Sequence, residues 1–438
     1  PMILQNAITN LVSFLDNIMV GQLGTEQMSG VAIVNQLIFV YNLAIFGAVS
    51  AASIFGAQYF GKGNHKGHMY SFRFKLYATL LVTGGAILLF LTKGSALISL
   101  YLTDTVGNGA TDLALQYGLE YLAIMMVGLI PFAVNQSYAT NIKETGQTFI
   151  PMLASFVAVG TNAILDYLMI FGIGPFPELG VQGAALATVI ARYIEALIVV
   201  IWAHIHRGKN RYLEGAYTGF GIPLAELKAI LIKGFPLMMN EVLWAAGMTT
   251  VTQCYSVRGL DVVAGLNIAS TITNLFNIVY LQLGSCISIV VGQYLGAGKL
   301  EDAKDADNKM IVFSVFCCVI MAALMFVVGG FFPGIYNTTE EIRELATSFI
   351  AVSAIIMPFC AFSHASYFTL RSGGKTVVTF LFDSVFTWVI VVPAAYLLAH
   401  FTGLGIVSIY FLVQGTELIK VIIGYLMVKS NVWVVQMV

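Results

Sequence analysis

The sequence predicts an all-α polytopic membrane protein. It should have about twelve transmembrane helices in two six-helix lobes, related by a pseudo-two-fold axis along the membrane normal. Three observations predict it. The 438 residues are 58% hydrophobic and only 10% charged, where soluble domains carry about 25% charged residues, and the mean hydropathy is +0.85. Apolar runs such as "LYATLLVTGGAILLFL" and "MIVFSVFCCVIMAALMFVVGGFF" can each span a bilayer, which takes about 20 residues. Two sequence blocks also recur in the same order in both halves of the chain. A β-barrel would instead show short segments of alternating hydrophobicity.

Taken in order, the spans cover approximately 1–22, 29–60, 74–102, 113–140, 149–172, 181–205, 228–256, 261–295, 309–333, 341–370, 376–399 and 404–428. Several are longer than one crossing requires, which implies tilt or extension past the membrane. No cleavable signal peptide precedes the first span. The chain begins at Pro1, and a cytoplasmic lead-in before it is expected. Lys and Arg set the orientation. One set of connections carries sixteen of them, including Lys62, Lys66, Arg73, Lys75, Lys143, Arg207, Lys209, Arg211, Lys228 and Lys233; the other carries Lys93, Arg258 and Arg343. The first set is therefore cytoplasmic, with both termini inside a multi-pass plasma-membrane protein.

The longest polar connection, "HIHRGKNRYLEGAYTGFGIPLAELK", falls near the midpoint. It divides the chain into an N-terminal lobe (1–206), a cytoplasmic linker (207–227) and a C-terminal lobe (228–438). The halves resemble each other: "SAASIFGAQYFGKG" (50–63) aligns with "SCISIVVGQYLGAG" (285–298), and "SYATNIKETGQT" (137–148) with "SYFTLRSGGKT" (366–376). Six spans per repeat is an even number, so both halves insert the same way up and the axis runs along the membrane normal.

Charged groups inside spans are costly and usually functional. The clear cases are Asp16, Asp166, Arg192, Glu195, Glu241, Asp383, Glu417 and Lys420. Arg192 and Glu195 are three apart, as are Glu417 and Lys420, so each pair is expected to neutralise itself on one helix face. Asp383 lies near enough to the cytoplasmic end of its span to reach that interface or a cavity. Asp16, Asp166 and Glu241 have no local basic partner, and such a carboxylate holds its proton or binds a cation.

Depth suggests which of these groups meet. Asp16 and Asp166 each lie 8 residues before an outer glycine, Gly24 and Gly174, and Thr188 lies 8 after Gly180. At 1.5 Å per residue each is about 12 Å below its loop. Asn162 is one turn deeper on the face of Asp166, and Tyr121 on the fourth span is at similar depth. Two carboxylates, an amide, a hydroxyl and a phenol then converge in the outer half of the first lobe. Oxygen donors suit a proton or a hard cation, which Asp16, Asn162, Asp166 and Thr188 would ligate. They do not suit zinc or copper. The bland alternative is that Asn162 and Thr188 only bond helices together. The five cysteines lie in apolar runs without metal-ligand spacing. No nucleophile–base arrangement, Walker loop or dinucleotide fingerprint appears, so an enzyme or ATP-driven pump is not expected. With a net charge of −1, no nucleic-acid partner is expected either.

These residues carry a resemblance. "SFLDNIMVGQLG", "GAQYFGKG", "NAILD", "GAALATVIA", "FPLMMNEVLW" and "GQYLGAG", in this order over essentially the whole chain, are similar to the multidrug and toxic compound extrusion (MATE) family. The resemblance implies two lobes forming a V around a central cavity, and export driven by inward Na⁺ or H⁺. It implies that Asp16, Asn162 and Asp166 match the family's first-lobe acid site, with Thr188 and Tyr121 as its hydroxyl and phenol. Pro1 matches a first-span proline linked to bending, a hinge. Glu241 matches a second-lobe acid of one branch. That branch also has an acid on the tenth span, where this chain has "FCAFSHASYFTLRSGG", with Ser363, His364 and Tyr367. Glu241, with Asn240 and Tyr367, therefore serves either a second-lobe cation or a cationic substrate.

The expected function is a secondary antiporter working by alternating access. It would export organic, cationic or amphipathic compounds in exchange for Na⁺ or H⁺, acting as a monomer in the lipid bilayer with no cofactor besides the coupling ion. The alternative is a lipid or glycolipid flippase of the same superfamily. A receptor or scaffold leaves the matched acids unexplained, and a passive channel predicts flux without coupling.

Overall fold

A computed structural model describes the backbone of residues 1–102, 108–219, 221–336 and 338–438, and the side chains of these residues except 11–18 and 108–110. Among the described residues every regular element is helical. Ten helices are long and apolar enough to cross a membrane, or eleven counting one bent pair. Each of the twelve anticipated segments falls on a helix.

The chain forms two compact units: Pro1–Gly56 with His65–Leu227, and Ala57–Asn64 with Lys228–Val438. The first contains α1 (Met2–Gly21), most of α2 (Thr25–Lys62), α3 (His65–Ser99), α4 (Asn108–Val127), α5 (Leu129–Glu144), α6 (Phe149–Ile170) and α7 (Gly180–Ile205). The span anticipated over 113–140 is a bent one, α4 and α5 meeting at 44°. Gly128 lies at the break and Pro131 starts the next turn; proline has no N–H for the carbonyl four residues back. The core of this unit gathers Val34, Ile45, Ile98, Leu122, Leu129 and Ala185. Helices here approach closely through small residues: a Cβ at Gly183 would lie 2.6 Å from the Met169 carbonyl oxygen, so α7 runs hard against α6.

A buried polar brace joins α3 to α5. Lys75 Nζ donates to Glu144 Oε1 at 2.5 Å and also to Asn141 Oδ1, and His68 Nε2 is 3.2 Å from Glu144 Oε2. The 207–227 connection folds back onto α3. The Arg73 guanidinium donates to the carbonyls of Ala216 (2.9 Å), Gly221 (2.7 Å) and Gly215 (2.7 Å). Tyr212 and Leu213 are buried beside Phe72 and Met69, and the Tyr217 hydroxyl bonds that of Tyr138. Burial holds the phenols of Tyr212 and Tyr217 neutral, above the ordinary tyrosine range.

The second unit holds α8 (Leu224–Ser256), of which residues from 228 belong to it, α9 (Leu260–Gly296), α10 (Leu300–Gly329) and α11 (Glu340–Ser372). Next comes a segmented span: α12 (Thr376–Phe380), two π-helical stretches (Leu381–Val385 and Thr387–Val391) and α13 (Val392–Phe401). α14 (Ile406–Gly415) and α15 (Glu417–Lys429) complete it. The last two turns of α2 belong here too. Their packing is reciprocal: a Cβ at Gly61 would lie 1.9 Å from the Gln293 carbonyl oxygen, and one at Gly296 would lie 1.9 Å from that of Gln58. These are equivalent positions of the two repeated blocks. Gln58 also ties the chain's far end. Its Nε2 donates to the carbonyls of Ser372 (2.9 Å) and Val435 (3.2 Å), and its Oε1 accepts from the Met437 N–H at 2.7 Å. Trp433 is buried with Ile287, Val291 and Leu370.

Candidate functional site

In the first unit the candidate site is built on α6 and α7. Asn162 and Asp166 stand one turn apart on α6, and both are buried at 6% and 1% exposure. Thr188 is on α7, five residues past the glycine that lets the two helices touch. Asn162 Nδ2 donates to Thr188 Oγ1 at 3.4 Å. The expected meeting of Asn162 with Thr188 is therefore seen, and Asp166 sits one turn along the same helix. The Asp16 side chain lies outside the described residues. Its helix α1 packs on α6 and α7, and a polar relay joins the three. Gln5 Nε2 donates to Ser155 Oγ at 2.7 Å, and Ser155 Oγ donates to Glu195 Oε1 at 2.5 Å. Pro1 is exposed as the N-cap of α1. Tyr121 is buried on α4, and its hydroxyl donates to Asn35 Oδ1 on α2 at 3.4 Å.

Arg192 and Glu195 do not pair. Glu195 accepts from Ser155, while the Arg192 guanidinium turns to α5. There it reaches the Gly128 carbonyl at 3.4 Å and lies 5.1 Å from the Phe132 ring centre. The Gly128 carbonyl at the α4–α5 break accepts only a long bond from the Phe132 N–H, 3.4 Å, and so also serves Arg192, an acceptor that a short-range pairing rule cannot see.

The second unit holds a separate polar cluster. Asn240 Nδ2 donates to Tyr367 Oη at 3.3 Å and to Asp383 Oδ2 at 3.0 Å, and its Oδ1 accepts from Ser384 Oγ at 2.7 Å. Asn240 and Tyr367, two of the expected residues, thus meet. Glu241 is the next residue on α8 and is half-buried. His364 lies against Tyr280, with ring centres 4.6 Å apart and the planes tilted by 50°. The expected Glu417–Lys420 pair is replaced: Lys420 Nζ donates to Asp383 Oδ1 at 2.7 Å. Sequence reasoning missed Asn35, Ser155 and Ser384 because it weighed charged residues before neutral ones. An amide in the apolar run "GVAIVNQLIFVYNLAIF" was the available signal for Asn35.

Chemically, the first-unit arrangement presents a carboxylate, an amide oxygen and a hydroxyl in a buried setting. It can hold a proton or a hard cation.

Comparison with known proteins follows the same lines. The sequence profile of the MatE family matches residues 1–168 and 236–397. A "Probable multidrug resistance protein NorM" of Thermotoga maritima is 23% identical over 410 residues, 93% of this chain and 86% of its own. A protein of the same name from Bacillus subtilis is 23% identical over 417 residues, 92% of this chain and 88% of its own. Among solved structures, the "Outward-facing conformation of a multidrug resistance MATE family transporter of the MOP superfamily" superposes with a TM-score of 0.88 at 20% identity, covering 98% of this chain and 93% of that one. A MATE crystal structure "in the bent conformation" gives 0.87 at 20% identity, covering 98% and 93%. At this identity the likeness shows the fold.

Proposed function

The chain belongs to the MatE family, and from that premise we propose that it is a secondary antiporter, exporting organic, cationic or amphipathic compounds in exchange for Na⁺ or H⁺ by alternating access. The relatives' description as multidrug resistance proteins supports the cargo class. The observation that carries the coupling is the burial of Asp166 and Asn162 one turn apart on α6, with Thr188 beside them on α7. A carboxylate so placed favours a bound cation over empty charge.

In the cycle, Asp166 takes Na⁺ or H⁺ while the site opens outward, and Asn162 and Thr188 supply neutral oxygens. Cation binding promotes cargo release. The transporter then turns inward, releases the ion and takes cytoplasmic cargo. One charge moved through 100 mV is worth about 2.3 kcal/mol, which supports a ratio of roughly fiftyfold for an uncharged cargo; exchange of one coupling cation for one monocationic cargo moves no net charge and draws on the ion's concentration gradient alone. In this reading the protein is a monomeric multi-pass transporter of the plasma membrane with both termini cytoplasmic, no catalytic role, and no cofactor besides the coupling ion. Glu241, Asn240 and Tyr367 then contact cargo or a second cation.

The test is reconstitution into inside-out liposomes with ethidium as cargo, imposing an H⁺ gradient and a Na⁺ gradient separately. Gradient-driven uptake that Asp166→Asn abolishes supports the reading, and the effective gradient names the ion. Normal uptake in Asp166→Asn alongside a dead Glu241→Gln would move coupling to the second unit and refute the site. No uptake under either gradient would sink the antiport reading, and lipid flipping would be measured next.

A further inference from the structure

One charged pair in the second unit has no place in the cycle above. Asp383 lies in the first π-helical stretch of its span, and such widened turns are frequent at functional sites. Lys420 reaches it from α15. Its Nζ is 2.7 Å from Asp383 Oδ1, 5.5 Å from the centre of the Phe382 ring and 5.9 Å from that of Phe386. The other carboxylate oxygen, Oδ2, accepts from Asn240 Nδ2 at 3.0 Å, and Asn240 is itself fixed by Ser384. The carboxylate is therefore held in one orientation by a neutral donor, leaving its second oxygen for a cation.

One carboxylate oxygen plus two aromatic faces is the set that recognises an organic ammonium group. Here the chain's own ammonium fills it. A buried ion pair is weak evidence for stability, because apolar residues of similar size often serve as well or better. An ionisable pair inside a span calls for a use. The two partners are not equally enclosed: the Asp383 side chain is 15% exposed and that of Lys420 7%, so an incoming group meets the carboxylate first.

We propose that Asp383, Phe382 and Phe386 form a binding site for the cationic nitrogen of organic cargo, and that Lys420 is a tethered competitor for it. Cargo displaces Lys420 from Asp383, and the return of Lys420 expels the cargo. This deepens the exporter reading and rests on it for the identity of the ligand. It does not depend on the coupling site in the first unit.

The test is equilibrium binding of ethidium to the purified full chain, read by fluorescence anisotropy without any gradient. Removing the competitor in Lys420→Met should tighten binding about tenfold or more. Lys420→Arg, which keeps a cation in place, should stay within about twofold of the wild type. Asp383→Asn/Lys420→Met, a neutral pair that avoids a stranded charge, should lose the gain. An unchanged affinity in Lys420→Met, or a gain that survives in the double variant, overturns the proposal.

Lys420→Met leaves Asp383 without its partner and risks misfolding, so a second measurement uses the wild type. Amine-directed labelling of Lys420, followed by peptide mass, should rise several-fold when ethidium is added. Labelling that is unchanged or falls overturns the proposal. Binding without gradient-driven uptake would remove the antiport reading and keep this site; uptake with no Lys420 effect would do the reverse.

Discussion

Replacing Gly61 or Gly296 with alanine tests the reciprocal packing of the repeated blocks. At each position the new Cβ would lie 1.9 Å from a backbone carbonyl oxygen, that of Gln293 or that of Gln58. Non-bonded contacts settle near 3.5 Å, so the two segments must part by roughly 1.5 Å. Overpacking costs about 1–3 kcal/mol. The obstacle here is main chain, which has no rotamer to yield, so each single change should cost about 3 kcal/mol. Independent effects would sum to about 6 kcal/mol. The same separation relieves both clashes, so Gly61→Ala/Gly296→Ala should cost only about 3–4 kcal/mol, a coupling of about 2–3 kcal/mol. The assay is a double-mutant cycle on unfolding in mixed micelles, followed by tryptophan fluorescence. A single variant within about 0.5 kcal/mol of the wild type, or a double variant equal to the sum of the singles, would refute the argument.

Three further outcomes are expected. Lys75→Met takes the ammonium from Glu144, which keeps His68 beside it, and should destabilise the first unit by about 3 kcal/mol, while Lys75→Met/Glu144→Gln recovers most of that loss in the same unfolding assay. Arg73→Ala removes the donor for three linker carbonyls, so limited chymotrypsin digestion should cut after Tyr217 several-fold faster than in the wild type; equal rates would mean the linker is held by other contacts. Thr188→Val takes the acceptor from Asn162, worth about 1 kcal/mol. The cation concentration for half-maximal ethidium uptake should therefore rise about fivefold, well short of the loss in Asp166→Asn.

Much of the architecture was legible because bilayer-spanning helices declare themselves by composition alone. Where the reading fell short, the deciding contact lay far off in sequence. The i,i+3 rule paired Lys420 with Glu417, but its partner Asp383 is 37 residues away. The same rule paired Arg192 with Glu195 and could not foresee the Gly128 carbonyl, 64 residues away in sequence, as its acceptor. The break itself was written in the "GLIP" at 128–131, since glycine followed by proline weakens a helix. The π-helical stretches around Asp383 have no comparable mark. The 207–227 connection reads as a polar loop, yet Tyr212, Leu213 and Ala216 anchor it on α3. Within the candidate site, the spacing of Asn162 and Asp166 showed their common face, and the depth count brought Thr188 to Asn162. For Tyr121 depth gave no direction, and its hydroxyl turns to Asn35.

The Gln58 clamp sets a schedule for biogenesis. Its Oε1 accepts from the Met437 N–H across a sequence separation of 379 residues. At ribosomal speeds of about 5–20 residues per second, roughly 20–75 s pass between the two ends of that bond. Gln293 and Gly296 are made earlier and can pack on the last turns of α2 first, but Gln58 Oε1 waits through the whole interval for the Met437 N–H. The second unit therefore completes this clamp only after Met437 has been made.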